Sequence, residues 1–388
     1  MEVKFECEVL TPLFLGGADP RLNPELRASS VRGALRYWFR ALVGGSNLIS
    51  YRSVDEIERL NREEEQVFGS TERGSPVSVI VIPEAKPAIV QFQKERTGKD
   101  YLFWSMAASG PRENPARYQP AREYIQPGTR FQVKLRTHFH GGALKKAVVA
   151  LWLLANLGAL GARANRGAGS IQATVEQDIP GVPAFKVCRT IDELEAFLTE
   201  GVCQCLAAVT GVDGCWRRFE NPPLHDVLSP DGAEIWLVAD DKAGWQTYAA
   251  ALNGIGERLR DYRSHRRRVG RADHDAVLEW LQRGGEGPLI RRAAFGLPLP
   301  FRYSQGRPGD VIQSTISARR GSPLKIRVTR LATGRYVGVL TLFKSRFIPE
   351  KERLKLQTRK WMAPPPKDYK IIEEFIQTFP VKWGVLYA

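Results

Sequence analysis

The segment of residues 142–160, GALKKAVVALWLLANLGAL, constrains the fold more than any other part of the sequence. Its apolar residues cover nearly the whole circumference of the helix that they predict, and such a helix has to be buried. The uninterrupted apolar run, Ala147–Ala155, is far shorter than the roughly 20 residues that span a membrane. The opening MEVKFECEVLTPLFLGG has acidic side chains where a signal peptide is apolar. We therefore expect a soluble, cytoplasmic protein with no membrane partner.

The elements around this helix predict one α+β unit. Residues 3–9 alternate apolar and charged side chains, which is typical of a half-buried strand. The stretch SSVRGALRYWFRALVGG predicts a helix capped by Ser29 or Ser30, and further strands are predicted at 75–82, 129–139 and 170–177. The order β-α-β-β-α-β is that of a ferredoxin-like (RRM-like) unit. In such a unit the helices cover one sheet face and leave the other free for RNA or a partner.

The second half of the chain repeats this order. AEIWLVA (233–239) predicts a strand, SPLKIRVTRLATGRYVGVLTLF a hairpin that turns near Thr333 and Gly334, DYKIIEEFIQTF a helix, and VKWGVLYA a closing strand. We therefore predict an α+β protein with two ferredoxin-like domains in tandem, both with insertions. Their predicted limits are 1–178 and 233–388, with a linker or insert at 179–232 that holds one helix.

The charge of the chain is strongly positive and unevenly distributed. Lys and Arg number 57 against 42 Asp and Glu, which gives a net charge of +15. Residues 101–150 carry 8 basic and 2 acidic side chains, and residues 251–388 carry 28 and 12, whereas the other regions are balanced or acidic. A basic excess confined to two regions predicts binding of a polyanion.

The stretch GARANRGAGS, residues 161–170, is the most specific binding signal in the sequence. Glycine lets a backbone approach a ligand closely and leaves N–H groups for phosphate oxygens. Arginine supplies the opposite charge and paired hydrogen bonds. A structural turn with the same spacing is the alternative interpretation. We predict that this loop binds RNA through Arg163, Arg166, Gly161, Gly167 and Gly169.

Further candidate RNA-binding residues lie in basic clusters on other predicted elements. Arginines recur every four residues on the first helix, where a solvated face is the alternative interpretation. One face of the 129–139 strand is basic, and residues 263–271 hold five arginines. The candidates are Arg32 and Arg36 on the helix, Lys134 and Arg136 on the strand, Arg266 and Arg267 in the arginine run, and Arg319 and Arg320 at the turn before the second hairpin.

The sequence contains no convincing active site. It has no Walker loop, no GxSxG and no HExxH motif. The five cysteines lack the spacing of a zinc site, and we predict neither a metal nor a cofactor. His138 and His140 would share one face at the end of a strand, where they either act as acid and base on RNA or belong to a polar strand face. Two His-Asp dipeptides, at 225–226 and 274–275, lack the further ligands of a phosphohydrolase.

The chain resembles the RAMP superfamily of CRISPR proteins, and within it the first subunit of the Cmr (type III-B) effector complex. The residues that carry the resemblance are TPLFLGGAD after the first strand, ELRASSVRGALRYWFRAL on the first helix, GARANRGAGS as the family's glycine-rich loop, and FGLP followed by RRGSPLKIRV in the C-terminal half. The resemblance implies two ferredoxin-like domains around a basic cleft. It implies RNA contacts for Arg163, Arg166 and the loop glycines, and also for Arg32 and Arg36 on the first helix.

The resemblance also implies a function in antiviral, RNA-guided RNA cleavage. The expected role is that of a non-catalytic subunit that contacts target single-stranded RNA or the crRNA 3′ region at one end of the complex, beside other RAMP subunits. One alternative is a metal-independent RAMP endoribonuclease that processes crRNA with His138 or His140. Another is a protein-interaction subunit without RNA contact, whose behaviour would be insensitive to salt.

Overall fold

The structure, a computed structural model, describes residues 1–47, 56–114, 116–264, 268–301, 310–358, 362–385 and 387. The elements of the first half are β1 (Glu2–Val9), α1 (Ala28–Gly44), α2 (Glu56–Phe68), β2 (Ser78–Pro83), β3 (Ile89–Gln91), α3 (Gly98–Leu102), β4 (Glu123–Ile125), β5 (Arg130–Arg136), α4 (Gly141–Leu157) and β6 (Ile171–Thr174). Short 3-10 helices span Trp104–Met106 and Ala164–Arg166.

The second half contains more insertions than the first. Its elements are α5 (Ile191–Thr210), β7 (Ala233–Ala239), α6 (Tyr248–Arg263), α7 (Arg268–Arg283), β8 (Leu299–Phe301), β9 (Asp310–Ser314), β10 (Leu324–Arg330), β11 (Tyr336–Phe343), β12 (Leu354–Leu356), β13 (Met362–Ala363), α8 (Lys370–Ile376) and β14 (Val381–Val385). A 3-10 helix spans Arg291–Phe295. Within the described ranges, no helix combines the length and the apolar character that a membrane crossing requires.

Two sheets share one strand order, which confirms the predicted ferredoxin-like architecture. The first sheet has the order β2-β5-β1-β6, and the second has β10-β11-β7-β14. All neighbours in both sheets are antiparallel. Numbered within its own unit, each sheet places its strands in the order 2-3-1-4. The strands lie inside the predicted limits 1–178 and 233–388, although the limits themselves stay predictions.

Two local predictions about the first unit are wrong. Helix α1 begins at Ala28, ahead of both serines, with Arg27 at the N-cap position and no side-chain cap. Strand β5 ends at Arg136, so His138 and His140 do not share a strand face. The buried Thr137 ends this strand, because its hydroxyl oxygen accepts the N–H of His140 at 3.2 Å and turns the chain into α4.

Helix α4 lies in the core, as its composition predicts. From Ala147 to Ala155 every side chain is buried. Helices α1 and α4 pack together on one face of the first sheet, and α5 packs against α4 through the ring contact of Trp152 and Phe197 at 5.4 Å. Helix α4 contacts α1, α5 and both sheets, which explains why its apolar residues lie all round the helix.

The second sheet does not keep the free face that was predicted for such a unit. Gly338 faces Ile255 of α6, the unit's own helix. On the opposite face, the ring of Phe343 lies 6.0 Å from Trp38 and 6.4 Å from Tyr37 on α1. Helices of the first unit thus cover the face that an isolated unit would expose, because burying both apolar surfaces at once is favourable.

Hydrogen bonds join the two halves where β10 runs beside β6. The guanidinium of Arg327, only 1% exposed, donates to the carbonyls of Gly158 at 2.9 Å and Ile171 at 2.7 Å. Burial lowers the pKa of Arg327 to about 9. Arg330 donates to both carboxylate oxygens of Glu8, at 2.6 and 2.7 Å. These contacts fix the glycine-rich loop, which leads into β6, against the second half.

Candidate nucleic-acid interface

The glycine-rich loop of residues 161–170 folds back onto the segment that follows β1. The N–H of Ala162 donates to the carbonyl of Phe14 at 2.8 Å, and the N–H of Gly169 donates to that of Pro12 at 2.9 Å. Gly169 has a φ of +67°, and a Cβ there would lie 1.9 Å from the carbonyl oxygen of Leu160. Gly169 is therefore required by packing, and its N–H is occupied within the protein.

The same loop turns its two arginines towards the second half. Arg163 has a left-handed φ of 63°, and the 3-10 turn that follows brings Arg166 alongside it. Gly167, with φ of +86°, packs so closely that a Cβ would lie 2.6 Å from Leu252 of α6. Gly161 is just as constrained, since a Cβ would lie 2.4 Å from the carbonyl oxygen of Phe14. The three predicted glycines thus give the loop its shape and its contact with α6.

Three arginines converge at this contact, and we call Arg163, Arg166 and Arg263 the junction cluster. Arg263 is the last residue of α6, and its guanidinium lies 5.2 Å from the centre of the Phe295 ring. Arg166 donates from Nη2 to the carbonyl of Phe295 at 3.0 Å. The cluster therefore combines the loop of the first unit with α6 and the 3-10 helix of the second.

Two aromatic side chains complete the site from the opposite side. Tyr101 lies on α3, and its ring centre is 6.0 Å from the guanidinium of Arg263. Trp104 follows in the next 3-10 helix, and the guanidinium of Arg163 lies 5.3 Å from its ring centre. Cations over aromatic faces are stabilised by the ring quadrupole, but their charge is not neutralised.

The junction cluster carries positive charge without a carboxylate partner. In the part of the chain that the structure describes, none of the three guanidinium groups forms an ion pair, and each has a buried nitrogen without a hydrogen-bond acceptor: Nε of Arg163, Nη1 of Arg166 and Nε of Arg263. The neighbouring Arg292, in contrast, pairs with Asp273 at 3.4 Å. Buried donors without partners are costly, and an anion that supplied acceptors would remove this cost.

The electrostatics of the cluster agree with this geometry. Burial lowers the pKa of Arg163 to about 10. Burial, together with the charges of Arg263 and Arg163, lowers the pKa of Arg166 to about 9. At these pKa values the guanidinium groups of Arg163 and Arg166 remain protonated at neutral pH. A bound phosphate would raise both pKa values, because its negative charge and its acceptors favour the protonated guanidinium.

Comparisons with known proteins assign this architecture to a family. The sequence model of the RAMP superfamily matches residues 6–172. The CRISPR system Cmr subunit Cmr1-2 of Pyrococcus furiosus is 32% identical over 191 residues, which cover 46% of this chain and 98% of the relative. The chain belongs to the Cmr1 family of the RAMP superfamily. Subunit Cmr1-1 of the same organism is 29% identical over 356 residues, 89% of each chain.

Two solved structures contain a chain of the same fold. The crystal structure of Cmr1 from Pyrococcus furiosus in its apo form matches with a TM-score of 0.60 at 22% identity, covering 100% of this chain and 99% of the other. A chain in a cryo-EM structure of the type III-B Cmr-beta complex bound to cognate target RNA matches with a TM-score of 0.50 at 12% identity, covering 90% and 97%. These similarities confirm the predicted fold.

Three of the five stretches that carry the family resemblance meet at the junction cluster: TPLFLGGAD, GARANRGAGS and FGLP. The stretch TPLFLGGAD supplies Pro12 and Phe14, which hold the glycine-rich loop. The stretch FGLP begins with Phe295, whose carbonyl accepts from Arg166 and whose ring lies under Arg263. Motifs from opposite halves of the sequence therefore form one site.

The arginines of α1 have a different environment, and we call Arg32, Arg36 and Arg40 the paired stripe. Arg36 and Arg40 both bind the carboxylate of Glu64, which is 3% exposed on α2. Arg32 donates to the carbonyl of Phe68, the last residue of α2. The stripe therefore attaches α2 to α1, and RNA binding by Arg32 and Arg36 stays a prediction.

Lys134 and Arg136 lie on the open face of the first sheet. Arg136 is paired in register with Glu2, and Lys134 with Lys4. Glu6 and Glu8 lie on the same face, as the alternation of β1 requires. This face therefore mixes both signs of charge, and the structure does not bring these two cations into the junction cluster.

Arg320 belongs to a buried network around Asp226 that joins α1 to the second sheet. The Asp226 carboxylate accepts from Tyr37 and Ser345, both at 2.8 Å, and lies 3.3 Å from Lys325 and 3.4 Å from Arg320. Burial raises the pKa of Asp226, but Lys325 and Arg320 outweigh this effect, and its pKa is lowered. The network is internally paired, so the His-Asp dipeptide at 225–226 serves the fold.

The remaining sequence-predicted residues lie apart from the site or outside the description. Arg319 is exposed at the turn before β10. Arg266 and Arg267 lie outside the described residues. His138 and His140 are exposed between β5 and α4. No group of three or more metal-ligating side chains occurs in the described ranges.

Two of the site's residues, Tyr101 and Trp104, were missed by the sequence analysis. They belong to the stretch KDYLFWSM, which lies at the edge of the basic region 101–150. Aromatic residues interleaved with a basic region are typical of nucleic-acid binding, and this signal was available in the sequence. Their position beside Arg163 depends on a long-range contact, however. Gly98 of α3 and Gly256 of α6 touch so closely that a Cβ on Gly256 would lie 2.0 Å from the carbonyl oxygen of Gly98.

Proposed function

We propose that this protein is a non-catalytic, RNA-binding subunit of a type III-B CRISPR Cmr complex. In this function it contacts target single-stranded RNA or the crRNA 3′ region, beside other RAMP subunits, during RNA-guided RNA cleavage. The observation that carries the proposal is the junction cluster, three converging arginines whose buried nitrogens have no acceptor within the described residues. RNA phosphates supply the charge and the acceptors that this cluster lacks.

Membership of the Cmr1 family supports the same function. The relatives from Pyrococcus furiosus are Cmr subunits, and a chain of similar fold occurs in a Cmr-beta complex bound to cognate target RNA. A basic protein of net charge +15 suits a complex assembled on RNA. The proposal extends to this chain the partners that those names contain.

The proposal is tested by removing two arginines of the loop. Arg163→Gln with Arg166→Gln is expected to weaken binding of a short single-stranded RNA by about 30-fold to 100-fold, because two charge-assisted contacts are lost. Arg62→Gln with Arg218→Gln is the matched control, since it removes the same charge from exposed ion pairs with Glu58 and Asp231. Unchanged affinity in the loop variant, or an equal loss in the control, contradicts the proposal.

The absence of catalysis is part of the proposal and has its own test. His138 and His140 lie on a connection and not on one strand face, which gives no support to an acid–base pair. Incubation of the pure protein with CRISPR repeat RNA in EDTA is expected to leave the RNA intact. Specific cleavage that is lost in His138→Ala or His140→Ala would instead identify an endoribonuclease.

A further inference from the structure

Trp104 is exposed to an extent that packing does not explain. It is 60% exposed, whereas every other tryptophan in the described part of the chain is buried or half-buried. Phe103, directly before it, and Met106, two residues after it, are buried in the core. The short 3-10 helix thus holds an indole out into solvent from a well-packed base.

The base that carries Trp104 is rigid. Helix α3 is docked on α6 by the close contact of Gly98 with Gly256, and the N–H of Lys99 donates to the side chain of Asn253 at 3.0 Å. Two large aromatic rings anchor the segment below, since Phe103 lies 5.7 Å from Phe14. A platform held in this way binds a flat ligand without an additional ordering cost.

The position of Trp104 suits an unpaired nucleotide. The guanidinium of Arg163 lies 5.3 Å from the centre of its ring, and the indole nevertheless remains 60% exposed. Arg163 belongs to the junction cluster, so a phosphate bound there would have an aromatic ring beside it. Proteins that bind single strands combine these two elements, a cationic groove for phosphates and aromatic rings on which bases stack.

We propose that Trp104 is a stacking platform for one unpaired base of the RNA whose phosphate is bound by the junction cluster. This inference rests on the proposed function, and it adds a site for a base to a site for phosphate. A duplex cannot use such a platform, because its bases are already stacked. The site therefore selects single-stranded nucleic acid over double-stranded nucleic acid.

The test compares oligoadenylate with an abasic strand of the same length. The wild-type protein is expected to bind oligoadenylate about 10-fold to 100-fold more tightly than the abasic strand, because each stacked base contributes about 1–3 kcal/mol. Trp104→Ala is expected to remove most of this difference, because it weakens binding of oligoadenylate far more than binding of the abasic strand. Trp104→Phe, which keeps an aromatic ring, is expected to restore part of it.

Two outcomes would overturn the platform while leaving the proposed function in place. In the first, Trp104→Ala retains the full preference for oligoadenylate. In the second, Trp104→Ala weakens both strands equally, which would show that the indole only positions Arg163. Failure of the proposed function has a different signature, since Arg163→Gln with Arg166→Gln would then bind the abasic strand as tightly as the wild type. Equal competition by polyglutamate would contradict a nucleotide site and indicate an acidic protein partner.

Discussion

The paired stripe and the junction cluster are built from the same residue type and have opposite consequences. On α1, Arg36 and Arg40 bind a single buried carboxylate, Glu64. In the junction cluster, Arg163 and Arg166 have buried nitrogens without acceptors and no carboxylate partner among the described residues. A cation with a partner stabilises the fold, whereas a cation without one is available to a ligand.

This difference favours one interpretation for each group of arginines, whereas charge alone favours neither. The arginine stripe on the first helix and the arginines of the glycine-rich loop were both candidate RNA contacts. The environment of the guanidinium groups separates Arg36 and Arg40 from the loop arginines, whereas Arg32 also has a buried Nε without an acceptor. We therefore base the proposed binding on the acceptors around each guanidinium group and on the convergence of three of them, and not on the number of arginines in an element.

The largest expected effect is on stability, at the acidic partner of the stripe. Glu64→Ala leaves Arg36 and Arg40 without their carboxylate and loosens α2 from α1. We expect a loss of about 2–3 kcal/mol in the free energy of unfolding, because Glu64 is buried while the arginines are partly exposed. Chemical denaturation measures it, and RNA affinity at low denaturant should not change. Gln66→Ala, on the exposed face of α2, is the control and should cost little.

The second effect is on affinity, at the residue that the second half contributes to the cluster. Arg263→Gln should weaken binding of single-stranded RNA by about 10-fold, which corresponds to about 1.4 kcal/mol, because one charged contact is lost. The melting temperature should stay the same or rise slightly, since repulsion from Arg166 is relieved. A clear loss of stability with unchanged RNA affinity would contradict this and show that Arg263 stabilises the fold, as the paired stripe does.

A third, smaller effect concerns inorganic phosphate. An anion that binds only the folded state stabilises it. Phosphate at a concentration several times its dissociation constant should raise the melting temperature by about 1–3 °C, which reflects about 1 kcal/mol of binding free energy. The rise should be absent in Arg163→Gln with Arg166→Gln. The control is Arg36→Gln with Arg40→Gln. This variant should still show the rise in melting temperature with phosphate, even if its melting temperature without phosphate is lower.

The smallest effect distinguishes geometry from charge. Arg166→Lys keeps the positive charge but loses the planar group that binds Phe295 and a ligand together. We expect about threefold weaker RNA binding. Restoration of wild-type affinity by lysine would show that the cluster acts as a diffuse charge and not as a set of directed donors.

The fold was predictable wherever local patterns determine it. Strand β7, the hairpin of β10 and β11, and the buried helix α4 follow from alternation, turn residues and composition. The insertions were not predictable, because strands as short as β3 and β13 carry too few residues for a pattern. The helix cap at Ser29 or Ser30 was wrong, since the N-cap of α1 is Arg27, two residues before Ser29.

The site was predictable in part. Arg163 and Arg166 followed from the glycine spacing, but their position beside the second half did not, because the contact of Gly167 with Leu252 joins distant segments. The partners of the other arginines could not be predicted from the sequence. Nothing in the local sequence states that Glu64 reaches Arg36, or that Gly98 and Gly256 bring Trp104 to Arg163. These contacts join distant segments, and only the packed structure determines them.

The salt dependence of RNA affinity tests the central claim most directly. Each phosphate contact to a single strand contributes about 0.7 to the slope of log affinity against log salt. Removing both loop arginines, with Arg163→Gln and Arg166→Gln, should therefore reduce the slope by about 1.4. Arg36→Gln with Arg40→Gln removes the same charge from the paired stripe and should leave the slope unchanged. Equal slopes in the loop variant and the wild type, or a reduction only in the stripe variant, would contradict the account.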